Sequence, residues 1–151
     1  MLLVYGGDEE IIVNGYTDAS FMTDIDDYKS QSGYVFTLNG GTVVCKSFKQ
    51  NTIADSTTEA EYIATLEASK EAFWIKMFLE EIGVVPSVMN PMPLYFDNSG
   101  ALAQAKEPRS HMKTRKIVRQ FVEKGYVKII KIPTDLNVSD PMTKALPRAK
   151  H

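Results

Sequence analysis

Apolar and polar residues fall in short β-rich runs over the first third of the chain and change to helical spacing at Ser56. "GYTDASF" (15–21), "GYVFTL" (33–38) and "TVVCKSF" (42–48) carry the aromatic and β-branched residues that strands favour. Asn39-Gly40-Gly41 between the last two is a hairpin signal, so three antiparallel strands are predicted to open the chain. From Ser56 to Ile82 the residues Ile63, Leu66, Trp74, Met77, Phe78 and Ile82 recur at helical intervals, interleaved with Lys70, Glu71, Lys76 and Glu80. This predicts one long amphipathic helix with those residues as its apolar stripe, a bend near Ser69, and Gly83 as its stop. "PLYFD" (93–97) reads as a short buried strand ending at Asp97, followed by a helix "GALAQAK" (100–106) capped by Asn98 or Ser99. A basic loop and short helix over 108–124, the strand "YVKIIKI" (126–132), and a last short helix capped by Asn137 and carrying Asp140 and Met142 complete the series. The order βββ-α-βα-α-βα predicts an α/β (α+β) domain, a mixed sheet with helices packed on it.

The start of the long helix, "STTEAEYIA" (56–64), holds two glutamates two positions apart. At about 100° per residue they point roughly 200° apart, so both cannot join one carboxylate cluster. Ser56-Thr57-Thr58-Glu59 fits a capping box, in which Glu59 reaches back to the backbone N–H of Ser56. Glu61 shares its face with Ala64, Ala68 and Ala72, which are small enough to let the helix lie close on a neighbouring layer. Glu61 is therefore expected to look toward that layer.

With 151 residues and 44% apolar content, the chain is long enough for a single domain with a core of its own. Cys45 is the one cysteine, which excludes an intrachain disulfide and predicts a buried free thiol in a reducing compartment. The opening "MLLVYGGDEE" lacks the basic and apolar segments of a signal peptide, and no apolar run is long enough to span a bilayer. An intracellular protein with no membrane partner is expected. Net charge is −2, but it is unevenly spread: seven acids and no Lys or Arg occupy residues 1–27, whereas 106–131 hold nine basic residues against two acids. A basic segment of this density is a candidate polyanion surface as well as a solvated face.

Four acids sit at predicted element edges: Asp18 in the first strand, Glu61 one turn into the helix, Asp97 at a strand end and Asp140 at the last helix. Their contexts, "GYTDASFMTDIDDYKSQSGYVFTLNGG", "KQNTIADSTTEAEYIA", "LYFDNSGALAQAKEPRSH" and "IPTDLNVSDPMTKALP", follow one another in a family-like order. Over residues 3–148 the chain resembles the ribonuclease H domain of copia-type LTR retrotransposon polyproteins, especially those of plants. The resemblance implies an RNase H-like fold with a five-stranded mixed sheet flanked by helices. It also implies a carboxylate set, Asp18, Glu61, Asp97 and Asp140, that is catalytic and binds two divalent cations, Mg²⁺ or Mn²⁺. The implied substrate is the RNA strand of an RNA–DNA hybrid, with reverse transcriptase and other polyprotein segments as further partners. Lys106, Arg109, His111, Lys113, Arg115 and Lys116 are the candidates for nucleic-acid contact, with Asn98 able to reach a 2′-hydroxyl or to cap its helix.

The chain departs from the resemblance in one informative place. Where such domains carry a longer segment with two histidines, only "RKIVRQF" stands between "EPRSHMKT" and "EKGYVKI", leaving His111 as the sole internal histidine. Cys45 replaces a common tryptophan, and Pro141 disfavours helical backbone at Asp140. The expected function is thus metal-dependent hydrolysis of hybrid RNA, with a weakly active or inactive nucleic-acid-binding descendant as the alternative.

Overall fold

The structure, a computed structural model, describes residues 12–83, 90–97 and 113–144. Strands β1 (Val13–Ser20), β2 (Gln31–Leu38) and β3 (Gly41–Lys49) form an antiparallel meander. Asn39 and Gly40 make the two-residue turn between β2 and β3, both with positive φ (48° and 82°), which a hairpin of this length requires. Helix α1 (Thr57–Ile82) follows, then β4 (Met92–Phe96), helix α2 (Lys113–Glu123) and β5 (Val127–Lys131). The sheet order is β3-β2-β1-β4-β5, with β1, β4 and β5 mutually parallel, which is the five-stranded mixed sheet that the resemblance implies.

The core lies between the sheet and α1, where Tyr34, Phe36, Met92, Leu94 and Val127 pack with Ala68 and Ala72. The face of α1 turned to the sheet is the small-residue one: Ala60, Ala64, Ala68 and Ala72 are at most 1% exposed. Large side chains from the strands fill the layer, so the helix contributes little volume and lies close. This corrects the expected apolar stripe. Trp74, Met77, Phe78 and Ile82 are exposed, and Ile63 and Leu66 only half-buried, because the periodicity of large residues marked the flank and outer side of α1. Phe73 instead packs edge-on against Phe121 and Tyr126, joining α1 to α2 and the approach to β5.

Two further expectations change. Cys45 is exposed: its neighbour Val44 packs on the core, and the pleat turns Cys45 to the other face of an edge strand. The final segment forms two 3₁₀ turns, Thr134–Leu136 and Asp140–Met142, in place of a last α-helix. Asn137 ends the first of these turns rather than capping the start of a helix; its amide donates to the Thr17 carbonyl of β1 and its Oδ1 accepts from the backbone and hydroxyl of Ser139. The predicted helix at 100–106 lies outside the described residues.

Candidate metal centre

Register carries Asp97 to Asp18. In the parallel β1–β4 pair Tyr16 lies opposite Tyr95, with their rings stacked 5.2 Å apart, so two residues further along Asp18 lies level with Asp97. The third acid arrives from α1. Ser56 caps that helix by accepting the Glu59 N–H, and the Glu59 carboxylate takes the N–H of Asp55 at 2.6 Å rather than that of Ser56, as the capping box predicted. Glu61, pointing the other way, is 3% exposed and accepts the Ala19 N–H at 3.4 Å. Asp18, Glu61 and Asp97 each offer an oxygen, and these oxygens lie within 4.8 Å of one another.

Asp140 stands outside that group but acts on it. It opens the second 3₁₀ turn, which packs where β1 pairs with β2: Gly33 lies opposite Asp18, and a Cβ on Gly33 would come within 2.7 Å of the Met142 Cβ. Absence of a side chain at Gly33 is thus what admits the turn. From it the Thr143 hydroxyl donates to Asp18 Oδ2 and the Lys144 ammonium to Asp140 Oδ1. Asp18 is 4% exposed, and burial pushes its carboxyl up to about 6. The Thr143 hydroxyl opposes the rise, the Asp97 and Asp140 carboxylates add to it, and Lys144 reduces it. A carboxyl raised first by its burial, with two neighbouring acids adding to the rise, marks a candidate functional site.

Three converging carboxylates offer only hard oxygen donors. That donor set suits a hard divalent cation, which takes a few carboxylates together with water and phosphate oxygens. Thr143 and Asn137 were not identified as site residues from the sequence. Both lie in "NVSDPMT", and proximity to Asp140 was the available signal.

No protein-family model matches the chain. It is 40% identical over 154 aligned positions to the retrovirus-related Pol polyprotein from transposon TNT 1-94 of Nicotiana tabacum, covering 98% of this chain and 11% of that one. The chain is a homologue of plant retrotransposon Pol polyproteins. A second relative, the Pol polyprotein from transposon RE2 of Arabidopsis thaliana, is 32% identical over 142 positions, 90% of this chain and 10% of that one. This Pol homologue therefore spans about a tenth of the length of the curated relatives it matches. LC11-RNase H1, solved in complex with an RNA/DNA hybrid, superposes on it with a TM-score of 0.61 at 16% identity, over 86% of this chain and 92% of that one. The fold of the Pol homologue is that of RNase H.

Of the basic candidates, Lys113 and Lys116 are exposed on α2 of the Pol homologue. Arg115 is buried at 8%, and its guanidinium partly offsets the rise that burial causes in the Tyr62 phenol. Asn98, Lys106, Arg109 and His111 lie outside the described residues. Among the described residues no helix is long and apolar enough to cross a membrane.

Proposed function

We propose that the chain is a metal-dependent ribonuclease H, one domain over its full length, that hydrolyses the RNA strand of an RNA–DNA hybrid. The observation that carries this reading is the convergence of Asp18, Glu61 and Asp97 from three separate elements at one end of an RNase H-type sheet. These three residues, with Asp140 beside them, would hold two divalent cations, Mg²⁺ or Mn²⁺. When bound, such a pair supplies an activated water and stabilises the leaving oxygen. The substrate class comes from LC11-RNase H1, whose structure contains an RNA/DNA hybrid.

The chain's own groups have definable tasks on this reading. The Ala19 N–H orients Glu61, and the Thr143 hydroxyl orients Asp18 and favours its ionised form, which a cation requires. Lys113 and Lys116 contact backbone phosphates; Asn98, Lys106, Arg109 and His111 are the further candidates for phosphate and 2′-hydroxyl contact. The partners are the hybrid and the other segments of a Pol polyprotein, reverse transcriptase among them, in an intracellular compartment.

A labelled hybrid incubated with Mg²⁺ or Mn²⁺ tests the reading. Cleavage of the RNA strand by the wild-type chain and its loss in Asp97→Asn is the expected result; cleavage of equal rate in both contradicts it. A second reading, a domain that binds hybrid without cutting it, is favoured by the short segment without histidines and by the engagement of Asp140 with Lys144. It predicts salt-dependent hybrid binding, log-linear in salt concentration, with no metal-dependent cleavage.

A further inference from the structure

The turn that brings Asp140 to the site places a cation there as well. Lys144, four residues on, pairs with Asp140. Lys144 thereby forms an ion pair with one of the four site acids. A carboxylate oxygen donated to by an ammonium is not available to a metal ion at the same time. Yet the Lys144 side chain is 56% exposed, and exposed ion pairs of this kind are weak. It also borders a hollow of about 570 Å³ whose lining includes Ser20, Gln31, Ser47 and Thr143. The amide of Gln31 donates to the Ser47 hydroxyl there at 2.8 Å, and the Ser47 hydroxyl to the Met142 carbonyl, while the Asp24 carboxylate and the Met142 side chain complete a mixed lining.

We propose that Lys144 is a displaceable counter-ion of the carboxylate site, pairing with Asp140 in the metal-free protein and yielding that carboxylate, with its ammonium turned toward the adjoining hollow that Asp24 lines, when a divalent cation binds. The inference rests on the proposed metal-dependent function. It makes Lys144 a competitor of the metal at Asp140.

The test is calorimetric titration of Mg²⁺ into the full chain at constant ionic strength. Four proteins are compared: wild type, Lys144→Gln, Asp140→Asn and the double variant, with Lys70→Gln as a control for loss of a remote positive charge. The proposal expects Lys144→Gln to bind Mg²⁺ about two- to fivefold more tightly, the range that displacing an exposed ion pair allows. It expects Lys70→Gln to match wild type and the Lys144 effect to vanish in the Asp140→Asn background. Equal or weaker affinity in Lys144→Gln overturns the proposal, as does an undiminished effect in the double variant, which would mean that Lys144 acts through the general field. If wild type binds Mg²⁺ but Lys144→Gln matches it, only the counter-ion role falls. If no variant and no wild-type protein binds Mg²⁺, the metal-dependent reading falls with it.

Discussion

The three-acid cluster and the Asp140 turn stand side by side, yet different forces hold them. Asp18 and Asp97 are fixed by the parallel register of β1 and β4, and Glu61 by the close packing of an alanine face against the sheet. Displacing any one of them means disturbing the core. Asp140 sits on a short 3₁₀ turn tethered by Asn137 to the Thr17 carbonyl and by the fit of Met142 over Gly33, and it shares its carboxylate with a solvent-exposed lysine. On the proposed function, the difference separates a rigid set of ligands from an adjustable one. A site built this way keeps its geometry without metal and changes its charge balance at the periphery.

Asp97→Asn is expected to have the largest effect. Loss of a core acid should reduce metal-dependent cleavage by more than the roughly 10–100-fold typical of an outer-shell partner, with the melting temperature kept. Single-turnover rates and a melting curve read both. Asp140→Asn should fall within that roughly 10–100-fold range, and excess Mg²⁺ should restore part of the rate. An Asp140 effect as large as that of Asp97 would erase the distinction drawn between them.

Packing gives the next step down. Ala68→Leu forces bulk between α1 and the sheet at a position that is 0% exposed, with a cost of about 1–3 kcal/mol in urea unfolding, and should weaken Mg²⁺ binding by drawing Glu61 away. Trp74→Ala, on the outer side at 68% exposure, should change stability by no more than about 0.5 kcal/mol.

The smallest effect is one of pH. Asp18 is raised from 3.8 to about 6, so between these values the native state holds a proton that the unfolded chain has released. The metal-free protein should therefore lose stability as pH rises through that window and level off above it. Asp18→Asn should remove this component, and saturating Mg²⁺ should offset it by favouring the ionised carboxyl. Melting temperatures in chelator and in Mg²⁺, compared across pH 4–7 for both proteins, measure the difference.

How much of this was legible in the chain varied with the kind of force involved. The meander, the long helix and the strand ending at Asp97 followed from local chemistry: β-rich runs, an Asn-Gly turn, a cap at Ser56 and a glycine stop at Gly83. The opposed tasks of Glu59 and Glu61 followed from helix geometry, because cap and core lie on different sides of one turn. Which side of α1 is buried did not follow from the large apolar residues. The sheet supplies the volume, and only the alanines reported the approach distance. The exposure of Cys45 depends on β3 being an edge strand whose outer face meets no helix among the described residues. The contacts of Thr143 and Asn137 link positions more than a hundred residues apart, and no local pattern encodes a pairing of that range. Arg115 shows the same limit: a charge run fixes neither which members face water nor which pack inward.

The two glutamates of one helical turn carry opposite expectations. Cleavage of a labelled hybrid in Mg²⁺ would be measured for Glu59→Gln and Glu61→Gln beside wild type, with melting temperatures for each. The account predicts that Glu61→Gln abolishes cleavage with little change in melting, and that Glu59→Gln keeps the rate while losing some stability from the weakened cap. Loss of cleavage in Glu59→Gln with retention in Glu61→Gln would contradict it.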